Sequence, residues 1–364
     1  MKIGILTFHC AHNYGAVLQS YALMHCLQKK NEVEFIDYRS QALINPYKLF
    51  PSPKNLLWKN KLNMLIYEIL YFPYRYLRYF RFNRFVKKYL KCSGVRYKNA
   101  ANIDWGKYEV CFYGSDQIWN FDITQNDYTY LGEMGDYKIP KISYAASMGP
   151  FRDKDKLIFK KYLNKFDYIS VRESTMCQFL QSITDKPINT VLDPTLLLEA
   201  KDWDKLAIMP SVKKKYVLIY QIYYDKELRL FAEKIALEHN AIVVELTTSI
   251  PLKYQRYRDP IASPETFLGY FKNAECVITT SFHGLAFALL YQKEFFVLNT
   301  DSLPNGLNTR TYCLLEKLGL LSRFLKIDEY LKAEPINYSV VNQKIKELRL
   351  ASINFIEESL NKLQ

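Results

Sequence analysis

The sequence predicts an α/β protein made of two doubly wound, Rossmann-like domains that face each other across a cleft. Three observations lead there. The chain has 364 residues, more than one ordinary domain and suited to two. Short apolar runs rich in Val, Ile and Phe alternate with helical patterns, the βαβ rhythm of a parallel sheet. That rhythm breaks between Pro194 and Lys215 and then starts again. Residues 1–200 therefore form a first domain with a basic helical insertion at 50–92, residues 201–335 a second domain, and residues 336–364 a C-terminal amphipathic helix.

The elements follow in order. "IGILTF" (3–8) reads as a buried strand, residues 16–29 as a helix, and "VEFIDY" (33–38) as the next strand. Two aromatic, basic helical segments fill the insertion after Pro51 and Pro53. The rhythm resumes with strands at 108–116, 141–147, 167–171 and 188–193, separated by helices from Lys154 and Ser174. The second domain reads strand (215–224), helix, strand (241–246), a helix capped by Ser263 with Pro264 in its first turn, strand (276–281), a helix from Gly284, and strand (295–299).

Composition narrows the function classes. Hydrophobic residues make up 49 %, and only 12 Gly and 14 Pro are present, which excludes fibrous and disordered chains. The seven cysteines form no CxxC pair and read as reduced residues of a cytosolic protein, not as disulfides or zinc ligands. No secretion signal and no run of ~18 apolar residues is visible, so the expectation is a soluble, cytoplasmic protein that at most lies on a membrane surface. The net charge of +13 is concentrated: residues 54–91 hold ten bases and one acid, Glu68, a local +9 that leaves +4 for the rest.

In doubly wound sheets ligands sit beyond the C-terminal strand ends, so those positions carry the candidates. After the first strand, Gly15 precedes a helix whose N–H groups suit an anion, with His9, His12 and Asn13 beside it; a simple strand-to-helix turn is the alternative. Asp37 stands where a ribose ligand would be, but GxGxxG is absent. In "YGSDQIWN" Asp116 is a site carboxylate, a helix N-cap, or both, with Ser115 beside it. Gln117, Trp119 and Asn120 are residue types that handle sugars, or a tryptophan packed at a helix start. Arg172 ends a strand, where a guanidinium suits phosphate or carboxylate; a salt bridge to Glu173 or Asp167 is the other reading. Asp193 reads as a hinge or structural residue. His283, between Ser281 and Gly284, is placed for proton transfer near neutral pH. Arg310 is a second cation or a solvated helix-start residue. No Walker loop and no His/Cys metal cluster is present in the sequence.

With these motifs in order, the chain resembles the polysaccharide pyruvyl transferase family. The likeness rests on "KIGILTFHCAHNYGAVLQSYAL", "FYGSDQIWN", "ISYAASMG", "ISVRES", "VLDPTLLL" and "TTSFHGLAFALL". It implies a GT-B-like fold and transfer of a carboxyvinyl-derived unit from phosphoenolpyruvate to two sugar hydroxyls, giving a pyruvyl ketal and phosphate in capsule, exopolysaccharide or cell-wall glycan biosynthesis. His283 matches the family histidine and Arg172 its mid-chain arginine. Some members carry an Arg two residues before the histidine; Ser281 stands there in this chain, which makes Arg310 the first candidate for the missing cation. The expected site is therefore His283 and Asp116 for catalysis, Arg172, Asn13, Gly15, Ser281, Gly284 and Arg310 for the donor, and Ser115, Gln117, Trp119 and Asn120 for a glycan or lipid-linked oligosaccharide acceptor. No metal or cofactor is required. The alternatives are a GT-B glycosyltransferase using a nucleotide sugar and a non-catalytic glycan-binding relative.

The basic segment 54–91 has two open readings: a helix pair on anionic lipid at the inner face of a membrane, or a flap whose aromatics pack on the first domain. Nucleic-acid binding is rejected, because no recognition motif accompanies the charge.

Overall fold

The computed structural model describes residues 1–49, 61–149, 152–222, 225–247, 257–299, 309–326 and 333–364, with the backbone alone for 61–68. The start of the expected insertion, including Lys54 and Lys59, lies outside these residues, as do Tyr223 and Tyr224 at the end of the expected strand 215–224.

Strands covered by helices on both faces need apolar side chains on both. The first sheet meets this with β1 (Lys2–Leu6), β2 (Glu32–Tyr38), β3 (Cys92–Tyr97), β4 (Val110–Tyr113), β5 (Lys141–Ala146), β6 (Tyr168–Val171) and β7 (Ile188–Thr190). Ile3, Ile5, Phe35, Val110 and Phe112 are fully buried in it. Its strand order is β3-β2-β1-β4-β5-β6-β7, and its pairings are parallel. The second sheet holds β8 (Tyr216–Tyr220), β9 (Ile242–Leu246), β10 (Arg258–Asp259), β11 (Cys276–Thr279), β12 (Glu294–Leu298) and β13 (Phe324–Leu325), ordered β10-β9-β8-β11-β12-β13 and again parallel. Counted from each first strand, both sheets run 3-2-1-4-5-6, the Rossmann progression, with a seventh strand added at the end of the first. The two doubly wound domains expected from the sequence are present.

The helices are α1 (Tyr14–Leu27), α2 (Gln41–Ile44), α3 (Lys61–Tyr89), α4 (Phe121–Thr124), α5 (Lys156–Leu163), α6 (Ser174–Gln181), α7 (Ala200–Asp204), α8 (Lys226–Glu238), α9 (Pro264–Asn273), α10 (Phe282–Leu290), α11 (Thr309–Leu318) and α12 (Tyr338–Asn361). Among the described residues no helix is long and apolar enough to cross a membrane.

Three elements differ from the sequence reading. β3 was not expected: it is an edge strand whose Gly94, Val95 and Arg96 are exposed, so it lacks the apolar pattern of a core strand. β10 and β13 are two-residue edges, too short for any periodicity. From residue 61 the insertion is one helix, not two, and it runs through Pro73. The proline and Ile69, whose carbonyl loses its partner, both lie on the exposed side, where water replaces the missing hydrogen bond.

Two helices tie the domains together. Phe82 and Phe85 of α3 are fully buried in the core, while its Arg78 donates to His12 O in the first domain (3.0 Å) and Pro260 O in the second (3.1 Å). Arg81 donates to Ile261 O. On the opposite side, α12 starts on the second domain, where the Tyr338 hydroxyl donates to Lys293 O. It ends on the first, where Arg349 donates to Leu196 O (2.7 Å) and Ser352 accepts from Leu192 N (2.9 Å).

Candidate active site at the paired switch points

In each sheet the strand order reverses between its first and fourth strands, and the crevice at that point is the expected ligand position. The two crevices here open onto one cavity of about 200 Å³. Phe8, Ala11, Asn13 and Ala16 follow β1, and Asp116 and Gln117 follow β4. Tyr220 ends β8 and Ile222 follows it, while Thr280, Ser281, Phe282 and His283 follow β11 and Arg310 opens α11. Leu43, Tyr47 and Ile123 complete the lining.

The stretch His12–Gly15 builds the domain junction one residue at a time. The His12 ring lies among Tyr47 (5.2 Å), Tyr79 (5.2 Å) and Phe82 (5.5 Å). Burial and the Arg78 and Arg39 charges push its pKa down to about 3, so it is neutral and holds α3. Asn13 caps α1, its side chain accepting from Ala16 N at 3.3 Å. Tyr14 crosses into the second domain, stacks on Phe267 at 4.5 Å and donates to Ala262 O at 2.9 Å. Gly15 receives the His283 ring: a Cβ on Gly15 would lie 2.0 Å from His283 Nδ1. Only glycine leaves room there.

His283 is 6 % exposed and stands in the first turn of α10, whose N-terminus has no side-chain cap. Its N–H groups are therefore left for a ligand. Gly284 lets that turn approach β11, since a Cβ would meet Thr279 Oγ1 at 2.2 Å. His283 Nε2 has no hydrogen-bond partner and lies 3.7 Å from Asp193 Oδ2, ion-pair range but too long for a hydrogen bond.

Asp193 is the centre of a buried polar network. Its Oδ2 accepts from Arg172 Nη1 (2.7 Å) and Ser115 Oγ (3.2 Å), and its Oδ1 from Thr195 N (3.0 Å) and Oγ1 (2.7 Å). Burial alone would raise its pKa; His283, Arg172 and the Thr195 amide outweigh this and hold it far below the usual carboxylate range. Of the two readings of Asp193, hinge or structural residue, the structural one fits: it is a buried, ionised carboxylate beneath His283.

Arg172 makes the salt bridge to Glu173, the other reading of the sequence, and a second one to Asp193. Its Nη1 goes to Asp193, its Nε to Glu173 at 3.1 Å, and its guanidinium lies 4.4 Å from the Phe282 ring. Burial opposes its charge, but Glu173, Asp193 and Asp116 more than compensate and raise its pKa. Its Nη2 alone is a buried donor without a partner. Arg310 is the reverse case. It lines the cavity, its Nε has no partner, and no described carboxylate pairs with it. Burial and the Arg172 charge lower its pKa, and Glu173, Asp116 and Asp193 only partly offset them.

Asp116 sits in the left-handed region at φ 66, strain of a kind concentrated at functional sites. Its backbone oxygen accepts from Ile118 N (2.8 Å) and Ser147 N (3.1 Å), and its carboxylate reaches the cavity with no hydrogen bond or ion pair to a described residue. It caps no helix. Of the expected acceptor residues, Gln117 lines the cavity and the others do not. Ser115 is fully buried and supports Asp193. Trp119 is 1 % exposed, with its indole N–H given to Tyr130 O (3.0 Å) and its ring against Phe159 and Phe166, so it offers no face to a sugar. Asn120 caps α4 through Asp122 N. Asp37 does not face a ribose: His9 (3.1 Å), Arg39 (2.6 Å) and Arg96 (3.4 Å) occupy it. Burial works against the His9 charge, but hydrogen bonds to Asp37 and Cys92 raise its pKa to about 9. Among the described residues no group of three His, Cys, Asp or Glu side chains could hold a metal ion.

A family model for polysaccharide pyruvyl transferase matches residues 13–302, which includes the cavity lining from Asn13 to His283. The chain belongs to the polysaccharide pyruvyl transferase family. A search of curated proteins gives no match. Among solved structures, similar chains include UDP-GlcNAc 2-epimerase from Neisseria meningitidis (10 % identity, TM-score 0.48, all of both chains). The wall teichoic acid polymerase TagF (12 %, 0.47, 100 % of this chain and 90 % of that one) and the Streptomyces sp. SF2575 glycosyltransferase SsfS6 (13 %, 0.44, 98 % and 99 %) are others. What the structure adds to the sequence reading is the place of Asp193 beneath His283, and Tyr47, Tyr220 and Thr280 in the cavity lining, the last with a buried hydroxyl lacking a partner. Asp193 and Thr280 were findable, since they stand at the ends of the strand runs 188–193 and 276–281; Tyr47 reaches the site only through tertiary packing.

Proposed function

We propose that the protein transfers a pyruvyl group from phosphoenolpyruvate to two hydroxyls of a sugar in a bacterial capsular, exopolysaccharide or cell-wall glycan. Family membership supports the reaction class. One observation carries the donor: the unpartnered Arg310 Nε, the uncapped N-terminus of α10 and His283 share one cavity. A dianionic phosphate and a carboxylate need such donors. Arg310 and the α10 turn take the anionic groups, and the free Arg172 Nη2 strengthens the field from below.

The steps balance. Protonated His283 gives its proton to C3 of the enol, and C2 becomes electrophilic. The first sugar hydroxyl adds to C2 and its proton passes to Asp116. The second hydroxyl adds as the C2–O bond to phosphate breaks, its proton returning to His283, while the proton on Asp116 leaves with phosphate. Asp193 stabilises the imidazolium and fixes its ring. The acceptor enters along Leu43, Tyr47, Gln117 and Ile123.

The test is thermal stability with phosphoenolpyruvate and, separately, with nucleotide sugars, since a ligand of the folded state raises Tm by mass action. The expected result is a rise with phosphoenolpyruvate that Arg310→Ala weakens by about 10- to 100-fold in affinity, the worth of a charge-assisted hydrogen bond. A rise with a nucleotide sugar alone would replace this reading with the glycosyltransferase.

A further inference from the structure

The outer face of α3 does no work within the fold. Its inner face carries the buried Phe82, Phe85 and Val86. Outside, Ile69 (64 %), Leu70 (62 %), Tyr76 (49 %), Leu77 (39 %) and Phe80 (53 %) are exposed. These positions recur at three- and four-residue spacing, so they form one stripe along the helix. The stripe continues as Arg84, Lys87 and Lys88, also exposed and paired with no described carboxylate. From Ile69 to Lys88 it is about 29 Å long at 1.5 Å per residue.

We propose that this stripe docks the protein on an anionic membrane surface. Exposed apolar patches of this kind mark interaction sites. An apolar stretch that turns into a cationic one fits a bilayer, whose acyl boundary takes Ile69, Leu70, Leu77 and Phe80 while anionic headgroups take Arg84, Lys87 and Lys88. A second copy of the chain fits less well, because the stripe has no described acid to meet those cations across a two-fold axis. The inner face gives the docking a consequence: Arg78, on the same helix, holds His12 O and Pro260 O, so the membrane anchor is also the clamp between the two domains.

The test is co-sedimentation of the full-length protein with vesicles of phosphatidylcholine alone and of phosphatidylcholine mixed with phosphatidylglycerol. Binding is expected to the anionic vesicles and to fall with added salt. The Arg84→Gln, Lys87→Gln, Lys88→Gln variant should lose on the order of 100-fold in partitioning, at roughly fivefold per cation. The Ile69→Ser, Leu70→Ser, Phe80→Ser variant should lose at least about tenfold with little change in Tm, because more than half of each residue is already in water. Equal sedimentation with and without vesicles overturns the proposal, as does anionic-vesicle binding that neither variant alters. A dimer by light scattering that the serine variant dissociates, with no vesicle binding, would assign the stripe to self-association instead.

Discussion

Gly15 of the first domain packs against the His283 ring of the second, and Gly15→Ala tests that contact. In the first turn of a helix, Gly→Ala alone would stabilise by roughly 0.5–1 kcal/mol. Against this, the new Cβ would lie 2.0 Å from His283 Nδ1, 2.3 Å from Cε1 and 2.5 Å from Cγ. Ordinary contact starts at 3.4 Å, so the ring must retreat by about 1.4 Å. Phe282 lies beside it and Asp193 beneath, so its retreat is confined to the cavity side. Overpacking of this kind costs about 1–3 kcal/mol, so the clash should win by about 1–2 kcal/mol. For a chain of 364 residues that lowers Tm by about 2 °C, at roughly 2.1 cal/mol/K per residue. Urea unfolding of wild type, Gly15→Ala, His283→Ala and the double variant isolates the pair. In the His283→Ala background the same Gly15→Ala change should become neutral or stabilising, a coupling of at least about 1 kcal/mol. An equal penalty in both backgrounds would refute the geometry. Turnover adds a second reading, because a displacement of about 1 Å can cost about 100-fold in rate.

Other expectations follow from the buried charges. Asp193→Asn leaves Arg172 without its second carboxylate and should cost about 3–5 kcal/mol at neutral pH; because the folded pKa of Asp193 is depressed, the difference from wild type is full above pH ~4 and shrinks as pH falls below that. A constant difference from pH 7 to 3 would contradict it. His9 is raised to about 9, so its contribution is full below pH ~6.5 and lost as pH rises through 9; His12 is lowered to about 3, so stability is lost as pH falls below ~6.5. Chemical denaturation across pH should show His9→Gln flattening the alkaline limb and His12→Phe the acid limb, and unaltered limbs would remove these assignments. Trp119→Ala should cost about 3–5 kcal/mol as a core truncation while donor affinity stays constant; a loss of affinity without loss of stability would return Trp119 to the site.

The fold was largely legible because both halves are built from fully buried strands. Runs such as "CVITT" and "YVLIY" leave no ambiguity of face, and the helices between them force parallel pairing. β3 was not, since an edge strand with Gly94, Val95 and Arg96 in water has nothing for periodicity to detect. At the site, position relative to a strand end was legible and bonding partners were not. His283, Asp116, Ser281 and Arg310 line the cavity as strand-end or helix-start residues. The same rule nominated Ser115 and Arg172, which the fold places one layer deeper, bound to Asp193. One sequence cannot say which of two neighbouring strand-end residues faces solvent and which supports it. Trp119 and Asn120 failed differently: their chemical type suggested sugars, while their hydrogen bonds to Tyr130 O and Asp122 N serve local structure.

The two arginines divide the work in a way that their neighbours dictate. Arg172 has Asp193 and Glu173 at bonding distance, so adding a ligand anion there would set it against two carboxylates already in place. Arg310 has no described carboxylate at that range and a lowered pKa, so an incoming anion relieves an unfavourable buried charge instead of competing for a satisfied one. Under the proposed reading, Arg310 of α11 supplies the donor cation at the cavity that Ser281 also lines. Arg310→Lys keeps the charge but loses the guanidinium Nε donor and its planar geometry. It should bind phosphoenolpyruvate more weakly than wild type and more tightly than Arg310→Ala. If Arg310→Lys and Arg310→Ala prove equal to wild type while Arg172→Lys abolishes binding, Arg172 would be the donor's cation and the network beneath His283 would have to open to admit it.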